Sequence, residues 1–292
     1  MPEKIITIYC FFDELLKAVG YEDHPLAELT TAEIMTIATV AAEIFTGNQQ
    51  KALDFLTSHG YIKPFSKSRF NRRLHSIPEA LWQLTLHVLA QIHQKTDQDC
   101  QINQINQINQ INQANQANKE HLYVVDTFPL PVCRNIRIKR CHVYSDEAFR
   151  GYCASKKEYY FGLKVCVIVT ENGTPIEMLL TPASTSDITA LRSMDLNLPE
   201  GSTLFGDAGF LDREFEVSLR EDGGIKLVVP RRKNMKDQLN GCLQYICNHY
   251  RKRVETTFSL LAERIARSVH AVTPRGFELK AFLTVLAYTI TS

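Results

Sequence analysis

The sequence predicts an α/β chain in two parts, an all-helical N-terminal region followed by a mixed sheet flanked by helices. Three observations predict it. Up to residue 100 the apolar residues recur at helical intervals. From residue 121 they gather in short β-branched runs that alternate with helical stretches. Between the two lies an uncharged repeat, residues 101–118, that fits neither pattern. With 292 residues, 45% of them apolar, the chain has the material for two cores.

In the first part, Thr30 followed by Glu33 offers a capping box. Ile34, Ile37, Ala38, Ala41 and Phe45 then keep helix spacing up to Gly47 and Asn48. A second helix is expected over residues 49–57. Over residues 66–74, Phe70 and Leu74 form an apolar back at i, i+4, while Arg69, Arg72 and Arg73 share the neighbouring face, as in a helix-turn-helix recognition element. Pro78 opens a longer helix carrying Leu81, Leu84, Val88, Leu89 and Ile92. Residues 1–16 mix acids into their apolar positions and offer no cleavage site. The longest apolar stretches, 34–45 and 281–290, are too short for a membrane span of about 20 residues. Eight cysteines without a CxxC pair point to reduced thiols. The expected location is the cytoplasm.

In the repeat, isoleucine recurs every third position, so successive side chains drift by about 60° around a helix and form no stripe. A polar linker is the expectation, at most a fraying extension of the helix before it. The division is therefore a helical domain at 1–100, a linker at 101–120 and a sheet-bearing domain at 121–292.

Beyond the linker, residues 122–125, 164–169, 176–180, 203–205 and 226–229 read as strands. Asn172 and Gly173 turn the hairpin between the second and third. Helices are expected over 188–194, 212–221, 245–267 and 274–289. A hairpin-led sheet followed by strand–helix alternation is a mixed sheet with helices on both faces.

Two aspartates stand where strands end. Asp126 follows Tyr123-Val124-Val125, its carboxylate expected at the sheet edge facing solvent, and Asp207 follows Leu204-Phe205-Gly206. Glu255 lies on the helix whose buried face is marked by Val254, Phe258 and Leu261, one turn after Arg251. Three acids from separate elements can converge on two divalent cations for phosphoryl transfer, and hard oxygen ligands suit Mg²⁺ or Mn²⁺. Cys242, Cys247 and His249 give three zinc-type ligands at an unusual spacing with no fourth, so zinc is set aside.

The run His249-Tyr250-Arg251-Lys252-Arg253-Val254-Glu255-Thr256-Thr257-Phe258, taken with Asp126 and Asp207, resembles the DDE triad of bacterial insertion-sequence transposases, most of all the family numbered nine-eight-two. Similar stretches lie at 133–137, 159–164, 180–187 and 270–280. In the related Tyr-x₂-Arg-x₃-Glu-x₆-Lys signature, Arg251 fills the arginine slot, Asn248 stands at the tyrosine slot and Ala262 at the lysine slot. The resemblance implies that 121–292 is a ribonuclease-H-like catalytic domain holding two divalent metal ions on Asp126, Asp207 and Glu255, and that the helical domain at 1–100 serves DNA-end binding or dimerisation. It also implies metal-activated cleavage at the element's ends, and strand transfer by a homo-oligomer that is at least dimeric on DNA. A nuclease of the same fold and a non-catalytic DNA-binding derivative are the alternatives.

Local charge agrees with a DNA partner. Residues 226–253 hold eight basic side chains against the single acid Asp237 in a chain of net charge +1. The expected DNA contacts are Arg69, Arg72, Arg73, Lys156, Lys157, Arg231, Arg232, Lys233, Tyr250, Arg251 and Arg253, on a protein associated with the nucleoid and not with a membrane.

Uncharged Gln and Asn with isolated Ile bury too little apolar area to offset ~1–2 kcal/mol of ordering entropy per residue. Deleting residues 101–112 is therefore expected to leave cooperative unfolding of both parts unchanged in a denaturant titration. An insoluble, non-cooperative variant would place the repeat in a core.

Overall fold

A computed structural model describes residues 2–108, 121–133, 135–153, 157–231, 235, 239–268 and 271–291. The second half of the repeat, Lys156, Arg232 and Lys233 lie outside them, as do the side chains of residues 94–108 and of Arg253. The elements in chain order are α1 (Pro2–Ala18), α2 (Thr31–Glu43), α3 (Gln49–Ser58), α4 (Lys67–Ser76), α5 (Glu79–Ile108), β1 (Leu122–Cys133), β2 (Arg150–Cys153), β3 (Glu158–Thr170), β4 (Pro175–Pro182), α6 (Asp187–Arg192), β5 (Thr203–Phe205), α7 (Arg213–Gly223), β6 (Lys226–Val228), α8 (Gly241–Ser268) and α9 (Pro274–Thr291). They form two compact units, one of Met1–Leu89 with Glu263–Ser292 and one of Ala90–Ala262.

The first unit is helical and built around α2, which packs on α1, α3, α4 and α9. A helix surrounded in this way must be apolar on all sides, and residues from Thr31 to Ala41 are buried apart from Glu33. The expected capping box starts it: Glu33 N–H donates to the Thr30 hydroxyl (3.2 Å), and Thr30 N–H donates to the Glu33 carboxylate (2.6 Å). Phe70 and Leu74 are buried as their spacing requires, and Phe12 meets Trp82 edge-on at 6.4 Å. The sequence-based division assigns everything beyond residue 120 to the sheet. Here it differs from the structure, because α9, with Phe277, Ala281, Val285 and Leu286 buried, packs on α2. An amphipathic pattern shows that a face is covered, but not by what. At the other boundary, α5 continues into the start of the repeat.

The second unit holds a mixed sheet in the order β2-β3-β1-β5-β6, with β4 also paired to β3. β1 and β3 are antiparallel, β3 and β4 form the expected hairpin, and β5 and β6 add on in parallel. Tyr123 and Val125 point to one face and join a core with Cys166, Ile168, Leu191, Phe210 and Val229. The α6 residues Ala190 and Leu191 belong to that core, and Phe215 and Leu219 of α7 pack against it. Alternation sends Val124 and Asp126 to the opposite face, where α8 lies. This is the ribonuclease-H-like arrangement. Among the described residues no helix is long and apolar enough to cross a membrane.

The hairpin turn also bears on α8. Gly173 has a φ of +88°, and a Cβ there would lie 2.3 Å from the Thr257 hydroxyl. Gly173→Ala is expected to lower the stability of this unit by about 1–3 kcal/mol through backbone strain and this clash. Denaturant unfolding measures it, and an unchanged midpoint would mean that the turn does not brace α8.

Candidate active site

Asp126 is not at a strand end. β1 continues to Cys133, and Asp126 pairs with Val167 of β3 in mid-strand. Its carboxylate is accessible for another reason. The parallel partner β5 covers only Leu122, Tyr123 and Val124, so one edge of β1 is open from Val125 onward. Asp126 is therefore flanked by a strand on one side only, half-buried and turned toward α8, in place of the solvent-facing edge position expected. Its own backbone supports it, since Thr127 N–H donates to Asp126 Oδ1 at 2.7 Å.

Asp207 sits two residues beyond β5, as the sequence predicts. It caps the short 3₁₀ turn that follows, accepting from Gly209 N–H at 2.7 Å. Gly206 before it is tightly enclosed: a Cβ there would lie 3.0 to 3.3 Å from Phe210, Val125 and Val229. The turn carrying Asp207 is thus held against β1 and Val229, the residue that follows β6.

α8 presents Cys247, Val254, Phe258 and Leu261 inward at intervals of seven, four and three. The Cys247 thiol is directed at the carbonyl oxygens of Gly206 and Val228, at 3.7 and 3.9 Å, and Tyr250 stacks on Phe205 with ring centres 5.4 Å apart. These contacts fasten the start of α8 to the ends of β5 and β6. The next turns then lie over Asp126. A cavity of about 240 Å³ is lined by Val124, Asp126, Asn248, Arg251, Lys252, Val254, Glu255 and Phe258. Two of the three expected acids, Asp126 and Glu255, share it.

A further carboxylate stands near Asp126 and Asp207. Asp187, in the first turn of α6, accepts from Lys164 Nζ at 2.9 Å and from the Thr127 hydroxyl at 2.8 Å, both at Oδ1. Its other oxygen approaches Asp207: a Cβ at Gly209 would be 2.6 Å from Asp187 Oδ2 and 2.9 Å from Asp207 Oδ1. Lys164 also donates to the Thr185 carbonyl at 2.5 Å, tying β3 to the start of α6. Sequence reasoning missed Asp187, and the signal that could have found it is position, since Lys164 and Asp187 each end a stretch that carries the family resemblance.

The electrostatics follow from this crowding. Burial pushes the Asp126 carboxyl up to about 6, the Thr127 N–H opposes that, the charges of Asp207 and Asp187 add to the rise, and Arg251 offsets part of it. The Asp207 charge therefore reaches Asp126, although Asp207 does not line the cavity. An all-oxygen donor set with surplus negative charge fits a hard divalent cation. Among the described residues no three acidic, histidine or cysteine side chains stand close enough together to ligate one ion.

Several basic side chains expected on DNA are engaged within the protein. Arg69 forms a two-pronged pair with Glu28 (2.7 and 2.5 Å). Arg73 donates to Asp23 (2.9 Å) and to the Leu29 carbonyl, so it is half-buried and not solvent-facing. Arg231 makes a two-pronged pair with Glu216 (2.5 and 2.6 Å) with both partners largely buried, which makes it a structural cation of the unit. Each of these acids lies 15 to 50 residues away in sequence, beyond the reach of a local pattern. Arg72 and Lys157 are exposed, Arg251 faces the cavity, and Tyr250 is a packing residue.

Residues 116–271 match the family described as Transposase DDE domain, a range that contains Asp126, Asp207 and Glu255. No curated protein and no solved structure matches the chain.

The raised Asp126 carboxyl has a consequence for stability. The native state holds this proton up to about pH 6 while the unfolded chain releases it near 3.8, so stability is greatest below 3.8 and falls as pH rises through 6. In metal-free buffer, Asp126→Asn is expected to gain about 3 kcal/mol over the original at pH 8 relative to pH 3.5. Urea midpoints at the two pH values measure this, and a pH-independent difference would show that Asp126 titrates as an ordinary carboxylate.

Proposed function

Because this chain belongs to the family of transposase DDE domains, we propose that it cuts DNA at the ends of an insertion sequence and joins the freed 3′ ends to target DNA, with Asp126, Asp207 and Glu255 as its catalytic acids. The observation that carries this reading is the cavity shared by Asp126 and Glu255, with the Asp207 charge acting on Asp126 from beside it. We assign the element to the group numbered nine-eight-two on the run around Glu255.

DDE transposase domains use divalent metal ions, and DNA is the partner of this family. Two Mg²⁺ or Mn²⁺ ions held by Asp126, Asp207 and Glu255 would supply charge neutralisation at the phosphoryl group. The protein's own groups do the rest. Arg251 and Lys252 line the cavity and attract the scissile strand by its phosphates, next to acids that would otherwise repel it. Lys164 fixes Asp187, which in turn accepts from Thr127, the strand residue that follows Asp126. Arg72 and Lys157 are exposed for phosphate contacts elsewhere. Holding two element ends at once calls for at least a dimer on DNA, working at the nucleoid in the cytoplasm.

Glu255 is exposed and its replacement leaves the core intact. Removing groups that merely orient metal ligands costs ~10–100-fold, so Glu255→Gln, which removes a ligand, is expected to lower cleavage of an end-containing duplex in Mg²⁺ by at least ~100-fold. Binding should be retained. Joined products in the original protein separate a transposase from a nuclease of the same fold. Binding without any cleavage in Mg²⁺ or Mn²⁺ would reduce the chain to a non-catalytic DNA-binding protein.

A further inference from the structure

Two groups of polar residues stand on α4. Arg69 and Arg73 are neutralised by Glu28 and Asp23. Lys67, Asn71 and His75, at i, i+4 and i+8, line up along another stripe of the same helix and open onto a cavity of about 370 Å³. Gln49 of α3 and Lys280 of α9 close its sides, and among the described residues no Asp or Glu lines it. Gly276 lies in the wall: a Cβ there would approach the Thr273 hydroxyl at 2.9 Å and His75 Cε1 at 3.6 Å, so the missing side chain keeps the hollow open.

Burial lowers the Lys280 ammonium below its usual range, and the Lys67 charge lowers it further. Burial, then Arg275 and Lys280, lower the His75 imidazole. Two lysines, a histidine and two side-chain amides thus line one hollow, a donor-rich surface that suits an anion of phosphate type.

We propose that this cavity of the helical unit binds a phosphate of the DNA backbone, with Lys67 and Lys280 as its charged contacts and Gln49 and Asn71 as its neutral donors. This rests on DNA being the partner and adds where the helical unit grips it. The grip is made by a different stripe of α4 from the arginines that the sequence singles out, and it is independent of base identity.

The full-length protein is titrated with a fluorescein-labelled duplex of arbitrary sequence across a range of salt. Every phosphate that the protein no longer neutralises should reduce the slope of log affinity against log salt by about one. Lys67→Gln with Lys280→Gln is therefore expected to lower the slope by about two. Lys67→Glu, a change at an exposed position that cannot disturb a core, is expected to lower it by at least about one. Slopes equal to that of the original protein in both variants would overturn the site and leave DNA binding as such intact. If the original protein fails to bind the duplex, the DNA reading itself falls. Inorganic phosphate followed by the His75 imidazole proton resonances then decides. A saturable shift that the double variant lacks keeps the site, with free phosphate as its ligand, and no shift overturns it.

Discussion

Asp126 places a carboxylate on the central strand of a sheet covered on both faces, and much of the second unit is arranged around that charge. An ionised carboxylate in such a place is costly unless something answers it. The Thr127 N–H and Arg251 answer in part, while Asp207 and Asp187 add to the cost. The position is tolerable because β5 is only three residues long, so the edge of β1 lies open from Val125 onward. A longer β5 would bury the carboxylate; a shorter β1 would leave it without the β3 residues that hold it in register.

The surroundings keep this unfavourable group in place. α8 is fastened at its start by the Tyr250–Phe205 stack and by Cys247 against the carbonyls of Gly206 and Val228, and farther along by Thr257 against Gly173. Between those anchors lie Arg251 and Glu255, which fixes the distance of the third acid from the sheet without any direct bond between them. The Lys164–Asp187–Thr127 contacts do the same on the other side of Asp126. Charges that repel are thereby held together by apolar packing and by one lysine, an arrangement with a clear use if cations and a polyanion are to be gathered there.

Much of this is legible in the sequence. The β-branched runs, the Asn172-Gly173 turn and the seven-residue spacing of α8 each state a local preference that the fold obeys, and the capping box at Thr30 and Glu33 starts α2 where expected. Asp207 can be placed because its strand ends beside Gly206. Asp126 lies deeper in its strand than the sequence indicates, and the strand runs on through Pro129 and Pro131. They are tolerated because that stretch pairs only with β3, and an open edge needs no donor from a proline. The pairings of Arg69, Arg73 and Arg231 and the docking of α9 on α2 are illegible for a different reason. Each depends on residues far away in the chain, and neither helical spacing nor local charge carries that information.

The central claim is that Asp126, Asp207 and Glu255 act as one cation-binding group although Asp207 and Glu255 reach it from different elements. Binding of Mn²⁺ to the full-length protein, followed by the decline of the free-ion electron paramagnetic resonance signal, tests it most directly. The expected result is saturable binding at neutral pH that Asp126→Asn, Asp207→Asn and Glu255→Gln each weaken, with folding unchanged by circular dichroism. Equal binding by the original protein and all three variants, or binding abolished only in Asp187→Asn, would contradict it.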